Sequence, residues 1–229
     1  MPWTPRIKFC GITNVEDAEL ALAAGAWALG VILWPGSPRR CELRAAVEIA
    51  AVARRRAELA GVFVNAPLER IARLADELGL TLVQLHGDEG PAFCAEVARR
   101  TGARVIKAAR VRSGGDIRAL APYRTDFHLL DSYVPGKPGG SGETFAWELV
   151  RARRSHVPLI LSGGLTPENV GAAIATVGPY AVDVASGVER RDDPRRKDPA
   201  RLEAFAAAVR EAAARLALPA ETPLPAAGR

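Results

Sequence analysis

Short apolar runs recur along this chain about every 25 residues, each followed by a longer stretch with helical periodicity, and this alternation constrains the fold more than any other feature. The runs are RIKFC, ALGVIL, AGVFVN, TLVQLH, RVIKAA, FHLLD, PLILS and YAVDVAS. The stretches between and after them, from NVEDAELALAAG to DPARLEAFAAAVREAAARLA, read as helices. Strands that alternate strictly with helices pair in parallel, because each helix returns the chain to the same end of the sheet by a right-handed crossover. Eight such units in 229 residues are enough to close the sheet on itself. The predicted class is therefore α/β, a single-domain (βα)8 TIM barrel over residues 1–217. A doubly wound open sheet competes with it, but the G-x-G-x-x-G of a dinucleotide-binding sheet does not follow the first run.

Local signals place the helix ends. Asn14, Thr166 and Asp198 stand at N-cap positions, with Pro167 and Pro199 just inside. Gly25, Gly79, Gly102 and Gly178 close other helices. From Leu218 the sequence LPAETPLPAAGR has no periodicity, and residues 218–229 are expected to form a disordered tail.

Composition narrows the function classes. The chain is 48% hydrophobic and 25% charged, and no apolar run reaches the about 18 residues of a membrane span. The start, MPWTPRIKFC, enters a strand without an export signal, so a cytoplasmic protein is expected. Cys10, Cys41 and Cys94 are widely spaced, form no C-x-x-C pair, and read as free thiols; no metal site is expected. The formal charge of +5 is carried largely by arginine. Pairs at Arg99, Arg153, Arg190 and Arg195 and the triplet Arg54 to Arg56 are scattered, and read as solvated helix faces rather than a nucleic-acid stripe.

In such a barrel the site lies at the carboxyl ends of the strands. Strand one delivers Cys10 there, strand four Gln84 and His86, and strand six Asp131. The seventh delivers SGG from Ser162, and the eighth ASG from Ala185. Period-two alternation puts Lys8 with Cys10, Gln84 with His86, and Leu129 with Asp131, so the polar members point into the mouth if their neighbours pack on helices. Each has a plainer reading. Cys10 as an inert core thiol, Asp131 as a turn cap, His86 as a wall residue, and Lys8 as a structural cation paired with Asp183 across the closed seam all fit the pattern. His128 and His156 fall on the wrong face or in a loop, and Trp34 and Phe93 read as core or rim. The glycine turns LSGGL and ASGVE expose backbone N–H groups where this fold commonly holds a phosphate. A phosphate anchor with a thiol and a carboxylate suggests proton transfer on a sugar phosphate, with no cofactor. Cys10 would act as thiolate, favoured by Lys8.

These residues resemble a known family. KFCGIT, GVFVN, VQLHGDE, LLDS followed by GGSGETFAW, LILSGGLTPENV and VDVASGVE are similar, in order, to the motifs of the phosphoribosylanthranilate isomerases, from about Ile7 to Leu216. The resemblance implies an Amadori rearrangement of N-(5-phosphoribosyl)anthranilate in tryptophan biosynthesis. It makes Cys10 the general base at C2 of the sugar and Asp131 the general acid that opens the furanose ring. It also gives the anthranilate carboxylate to Arg39, with Arg40 as a second candidate because it replaces a common aromatic residue, and the phosphate to Gly163, Gly164, Ser186 and Gly187. Gln84 and His86 are expected to contact substrate. A small phosphosugar ligand and a monomer or homodimer complete the expectation, without nucleic acid or membrane. The chain departs from the family at Glu143 and Ala146 and in RRDDPRRKD, read as a mobile basic flap.

Overall fold

The computed structural model describes residues 4–132 and 144–217. Eight parallel strands form a closed barrel in chain order: β1 (Arg6–Cys10), β2 (Ala28–Ile32), β3 (Glu58–Phe63), β4 (Leu82–Leu85), β5 (Arg104–Val111), β6 (Phe127–Ser132), β7 (Leu159–Leu161) and β8 (Ala181–Val184). The first and last pair directly, Lys8 opposite Asp183. The helices outside are α1 (Val15–Ala23), α2 (Leu43–Ala53), α3 (Leu68–Leu78), α4 (Pro91–Thr101), α5 (Gly114–Arg118), α6 (Val170–Val177) and α7 (Pro199–Ala217). All eight predicted strands are present. The Glu143 departure and the predicted tail lie outside the described residues.

Two helical expectations are shortened. The run after β2 was read as continuous to Ala60, but α2 ends at Ala53. Arg55 there takes a left-handed conformation (φ 63°), which stops a helix, and Glu58 opens β3 with an ion pair to Arg104 at 2.6 Å. After β6 the predicted helix is only a 3-10 turn, Trp147–Ala152. Capping is as read at two ends: Asn14 accepts the Asp17 N–H at 2.8 Å and Asp198 accepts that of Ala200 at 2.9 Å. At the third, α6 starts only at Val170, so Asn169 and not Thr166 holds the N-cap, while Thr166 Oγ1 caps the turn before it by accepting the Glu168 N–H at 3.2 Å.

The main core fills the space between strands and helices, from Phe9 and Leu29 to Phe205 and Val209. Inside the barrel the filling is uneven, and this positions the site. The amino-terminal end is plugged by Trp27, Phe127 and Tyr180, with ring centroids 5.3–5.8 Å apart. Arg6 lies 4.6 Å over the Tyr180 ring. Above the plug the wall carries small residues, Ala28, Ala60, Ala108 and Ala181. The room they leave is taken by Lys8, Gln84 and Asp183, all buried. A cavity opens above them, at the carboxyl end.

Candidate active site

Cys10, the last residue of β1, is 5% exposed and faces the barrel interior. Its neighbour across the ladder is Gly30, and a Cβ there would lie 2.8 Å from the Cys10 sulfur and 3.1 Å from the Lys8 ammonium. Only glycine leaves room for that thiol beside that cation. Lys8 donates to Asp183 Oδ1 at 2.7 Å, and Ser162 Oγ donates to Oδ2 at 3.1 Å. The predicted seam pair therefore exists, and it sits directly beneath the thiol. Burial alone would lower the Lys8 pKa, but the Asp183 carboxylate and the Cys10 sulfur hold it above the ordinary lysine range. Burial raises the Cys10 pKa; Lys8 and, more weakly, Lys197 pull it back without cancelling the rise.

Asp131 closes β6 on the same inner face and is 5% exposed. His86 Nε2 stands 3.3 Å from its Oδ2. Gln84 Nε2 is 3.0 Å from His86 Nδ1, and with the amide in this orientation Nδ1 accepts; Nε2 faces Asp131 but makes no hydrogen bond among the described residues. Gln84, though expected to meet substrate, is thus engaged with His86, while its Oε1 has no partner among the described residues. Both line the cavity.

Arg39 lines it too, and Arg40 does not. The Arg39 Nε and Nη2 donate to Glu189 Oε1 and Oε2 at 2.6 and 2.9 Å, and Lys197 Nζ, fully buried, donates to the same carboxylate at 3.1 Å. One edge of the guanidinium is held by protein, leaving Nη1 and the other face of Nη2 for a ligand. Glu189 and Lys197 carried no assignment in the sequence reading. Their contact with Arg39 is a long-range one, and neither falls at a strand end. The segment from Arg190 to Asp198, read as a mobile flap, is tied down: Lys197 N–H donates to Asp17 at 2.9 Å and Thr13 Oγ1 to the Arg195 carbonyl at 2.6 Å.

The phosphate candidates follow β7 and β8. Gly163 and Gly164 follow β7 with φ of 89° and 62°. A Cβ on Gly163 would collide with the Ser132 backbone, so this turn can press against β6 only as glycine. Among the described residues no acceptor meets the N–H groups of Gly163, Gly164 or Leu165. Ser186 begins a 3-10 turn, Ser186–Val188, at the same rim. Gly187 is set back from the cavity wall, where it packs on the Leu165 carbonyl. Cys10, Asp131, Arg39, Ser162 and the Gly163–Gly164 turn thus border one cavity of ≈ 370 Å³, with Trp34 at its edge.

His128 faces outward as expected, buried, with Nε2 donating to the Tyr123 carbonyl at 3.1 Å and its pKa lowered by burial. His156 is exposed and Phe93 packs on the core. Among the described residues no group of three His, Cys, Asp or Glu side chains could hold a metal ion, and no helix is long and apolar enough to cross a membrane.

The family model described as N-(5'phosphoribosyl)anthranilate (PRA) isomerase matches residues 7–207. The chain belongs to the phosphoribosylanthranilate isomerase family. The N-(5'-phosphoribosyl)anthranilate isomerase of Citrifermentans bemidjiense is 45% identical over 208 residues, covering 91% of this chain and 98% of the relative. The crystal structure of phosphoribosyl anthranilate isomerase from Thermus thermophilus superposes with a TM-score of 0.81 at 38% identity, over 90% of this chain and 98% of that one. Another isomerase of the family, solved in complex with reduced 1-(o-carboxyphenylamino)-1-deoxyribulose 5-phosphate, gives a TM-score of 0.77 at 37% identity, over 90% and 99%. In this chain two ion-paired clusters, Lys8 with Asp183 beneath Cys10 and Glu189 with Lys197 beside Arg39, hold the thiol and the arginine at the cavity.

Proposed function

We propose that this chain converts N-(5-phosphoribosyl)anthranilate to 1-(2-carboxyphenylamino)-1-deoxyribulose 5-phosphate by general acid-base catalysis, with Asp131 as acid and Cys10 as base. The observation that carries the roles is the convergence of a thiol and a carboxylate, three strands apart around the ring, on one cavity that also holds an arginine and a glycine turn with free N–H groups. The family membership supports the reaction, and a family member binds a reduced form of the product.

In this reading the phosphate docks on the Gly163–Gly164 turn with Ser186, and the anthranilate carboxylate takes the free edge of Arg39. Asp131 gives its proton to the furanose oxygen as the C1–O bond breaks, forming an open-chain iminium. Cys10, as thiolate, removes the C2 proton, and those electrons neutralise the iminium to an enolamine. Tautomerisation of the enolamine, with a proton returned to C1, yields the ketone. Nothing is oxidised or reduced beyond the substrate itself. The reaction needs no cofactor.

The function is tested by supplying freshly generated phosphoribosylanthranilate and following loss of anthranilate fluorescence; an inert purified enzyme would refute it. A pH test reads the thiol itself. Burial raises the Cys10 pKa, so alkylation at Cys10 by iodoacetamide, followed by peptide mass, should speed up about tenfold per pH unit from neutrality into the alkaline range. Turnover follows the joint population of Cys10 thiolate and protonated Asp131, so kcat/KM should not share that rise; a kcat/KM that tracks the thiolate alone would remove Asp131 as the acid.

Arg39→Ala should raise KM by about 10- to 100-fold while leaving kcat nearly unchanged, because a charge-assisted hydrogen bond to the carboxylate is worth about 1.5–3 kcal/mol and the carboxylate does not react. Loss confined to kcat would place the carboxylate elsewhere.

A further inference from the structure

The arginines of RARRSH, from Arg151 to His156, read in the sequence as a solvated helix face, and for Arg153 the structure corrects this. The 3-10 turn ends at Ala152, and Arg153 follows in extended backbone with its side chain half-buried. Its Nε and Nη2 are shut off from solvent and meet no acceptor among the described residues. His128 Nδ1 is likewise buried without a partner, and the Arg153 charge acts on that ring. A guanidinium stays protonated in proteins, so this is a half-buried cation without a counter-charge among the described residues. Such a charge costs folding energy unless an anion compensates it.

Arg153 lines a cavity of ≈ 480 Å³. The cavity opens before β7 and β8, at the amino-terminal end of the barrel and therefore opposite the active site. Its wall mixes the aliphatic side chains of Val150, Val157, Leu159 and Val177 with His156 and Tyr180, and contains no carboxylate. Ser155 also lines it; its Oγ accepts the Val157 N–H at 3.2 Å and keeps its own proton to donate. A guanidinium without a carboxylate partner among the described residues, a hydroxyl donor and a partly aliphatic wall together match one ligand chemistry, an anion attached to a small apolar body. A free phosphate would satisfy the charge but waste the wall, and a neutral apolar molecule the reverse.

We propose that this cavity is a second ligand site, separate from the catalytic mouth, for a small carboxylate with an apolar tail, held by Arg153. Bound there, the carboxylate supplies the counter-charge that the fold leaves out.

The test follows isotope-labelled valine methyl groups by NMR while hexanoate is added to the full-length chain. Val157 and Val177 should shift in a saturable way. The affinity should fall at least about tenfold in Arg153→Met, whose unbranched side chain keeps the packing but not the charge, and remain unchanged in Arg39→Ala. Arg153→Lys retains the cation and should bind more tightly than Arg153→Met. Absence of saturable shifts, equal binding of hexanol, tighter binding of inorganic phosphate, or full affinity in Arg153→Met would each overturn the proposal. Should Arg153→Met fail to fold, the Lys variant decides: loss of hexanoate binding in a folded Arg153→Lys also overturns it.

Discussion

Cys10→Ser and Asp131→Asn should each lower kcat by about 100-fold or more while leaving the circular dichroism spectrum and the unfolding midpoint close to wild type, the scale on which acid-base groups act. Both replacements fit the space available. Serine is smaller than the cysteine packed against Gly30, and asparagine matches aspartate in shape beside His86. The chemistry is what they remove: a serine hydroxyl is far less acidic than a thiol, and a carboxamide has no proton to give at neutral pH. The two variants also separate the steps. With deuterium at C2 of the ribose, the proton removed by Cys10 becomes heavy, and Cys10→Ser should make its removal fully rate-limiting and the isotope effect on kcat large. Asp131→Asn slows ring opening, which precedes that step, and should suppress the isotope effect. Wild-type turnover in either variant, or the isotope effect distributed the other way, would sink the assignment of roles.

That the two groups meet in one cavity was legible because barrel closure and period-two alternation act on any sequence with eight parallel strands. Lys8 and Cys10 share a parity on β1, closure makes β8 its neighbour, and the Lys8–Asp183 pair follows with no knowledge of the loops. What escaped the sequence reading was set by loops and by breaks in periodicity. Glu189 and Lys197 belong to a connection after β8; Lys197 holds Glu189, and the arginine that Glu189 holds lies 150 positions earlier, after β2. No local pattern encodes that contact. Arg153 was misread for a different reason: TFAWELVRARR fits a helix of three turns, but only Trp147–Ala152 winds, and as a 3-10 turn. The winding ends before Arg153, whose backbone is extended (φ −68°, ψ 134°), so helical periodicity no longer decides where its side chain goes. Gly30 also went unnoticed, since a glycine inside a strand carries no sign of what it accommodates.

Breaking the Lys8–Asp183 pair should have the largest effect on stability. Both partners are buried, Lys8 completely, and removing one leaves an unpaired charge in the barrel, which costs about 3–5 kcal/mol. For a chain of this size that lowers the unfolding midpoint by about 6–20 °C. Asp183→Ala is the harsher of the two single changes, because Lys8 has no other carboxylate within ion-pair distance among the described residues. In Lys8→Met, Ser162 still donates to the remaining carboxylate. Replacing both partners with apolar side chains of similar volume should recover much of the lost stability, since neither desolvated charge then remains. It should not recover activity. Lys8 pulls the Cys10 thiol down toward the neutral range against the effect of burial, so without it the thiol pKa rises further and its alkylation at fixed pH slows. A Lys8→Met, Asp183→Leu double variant that folds stably and retains wild-type kcat would show that the pair serves the barrel alone; one that folds stably and turns over slowly, with a base limb displaced to higher pH, ties the ion pair to the proton transfer above it.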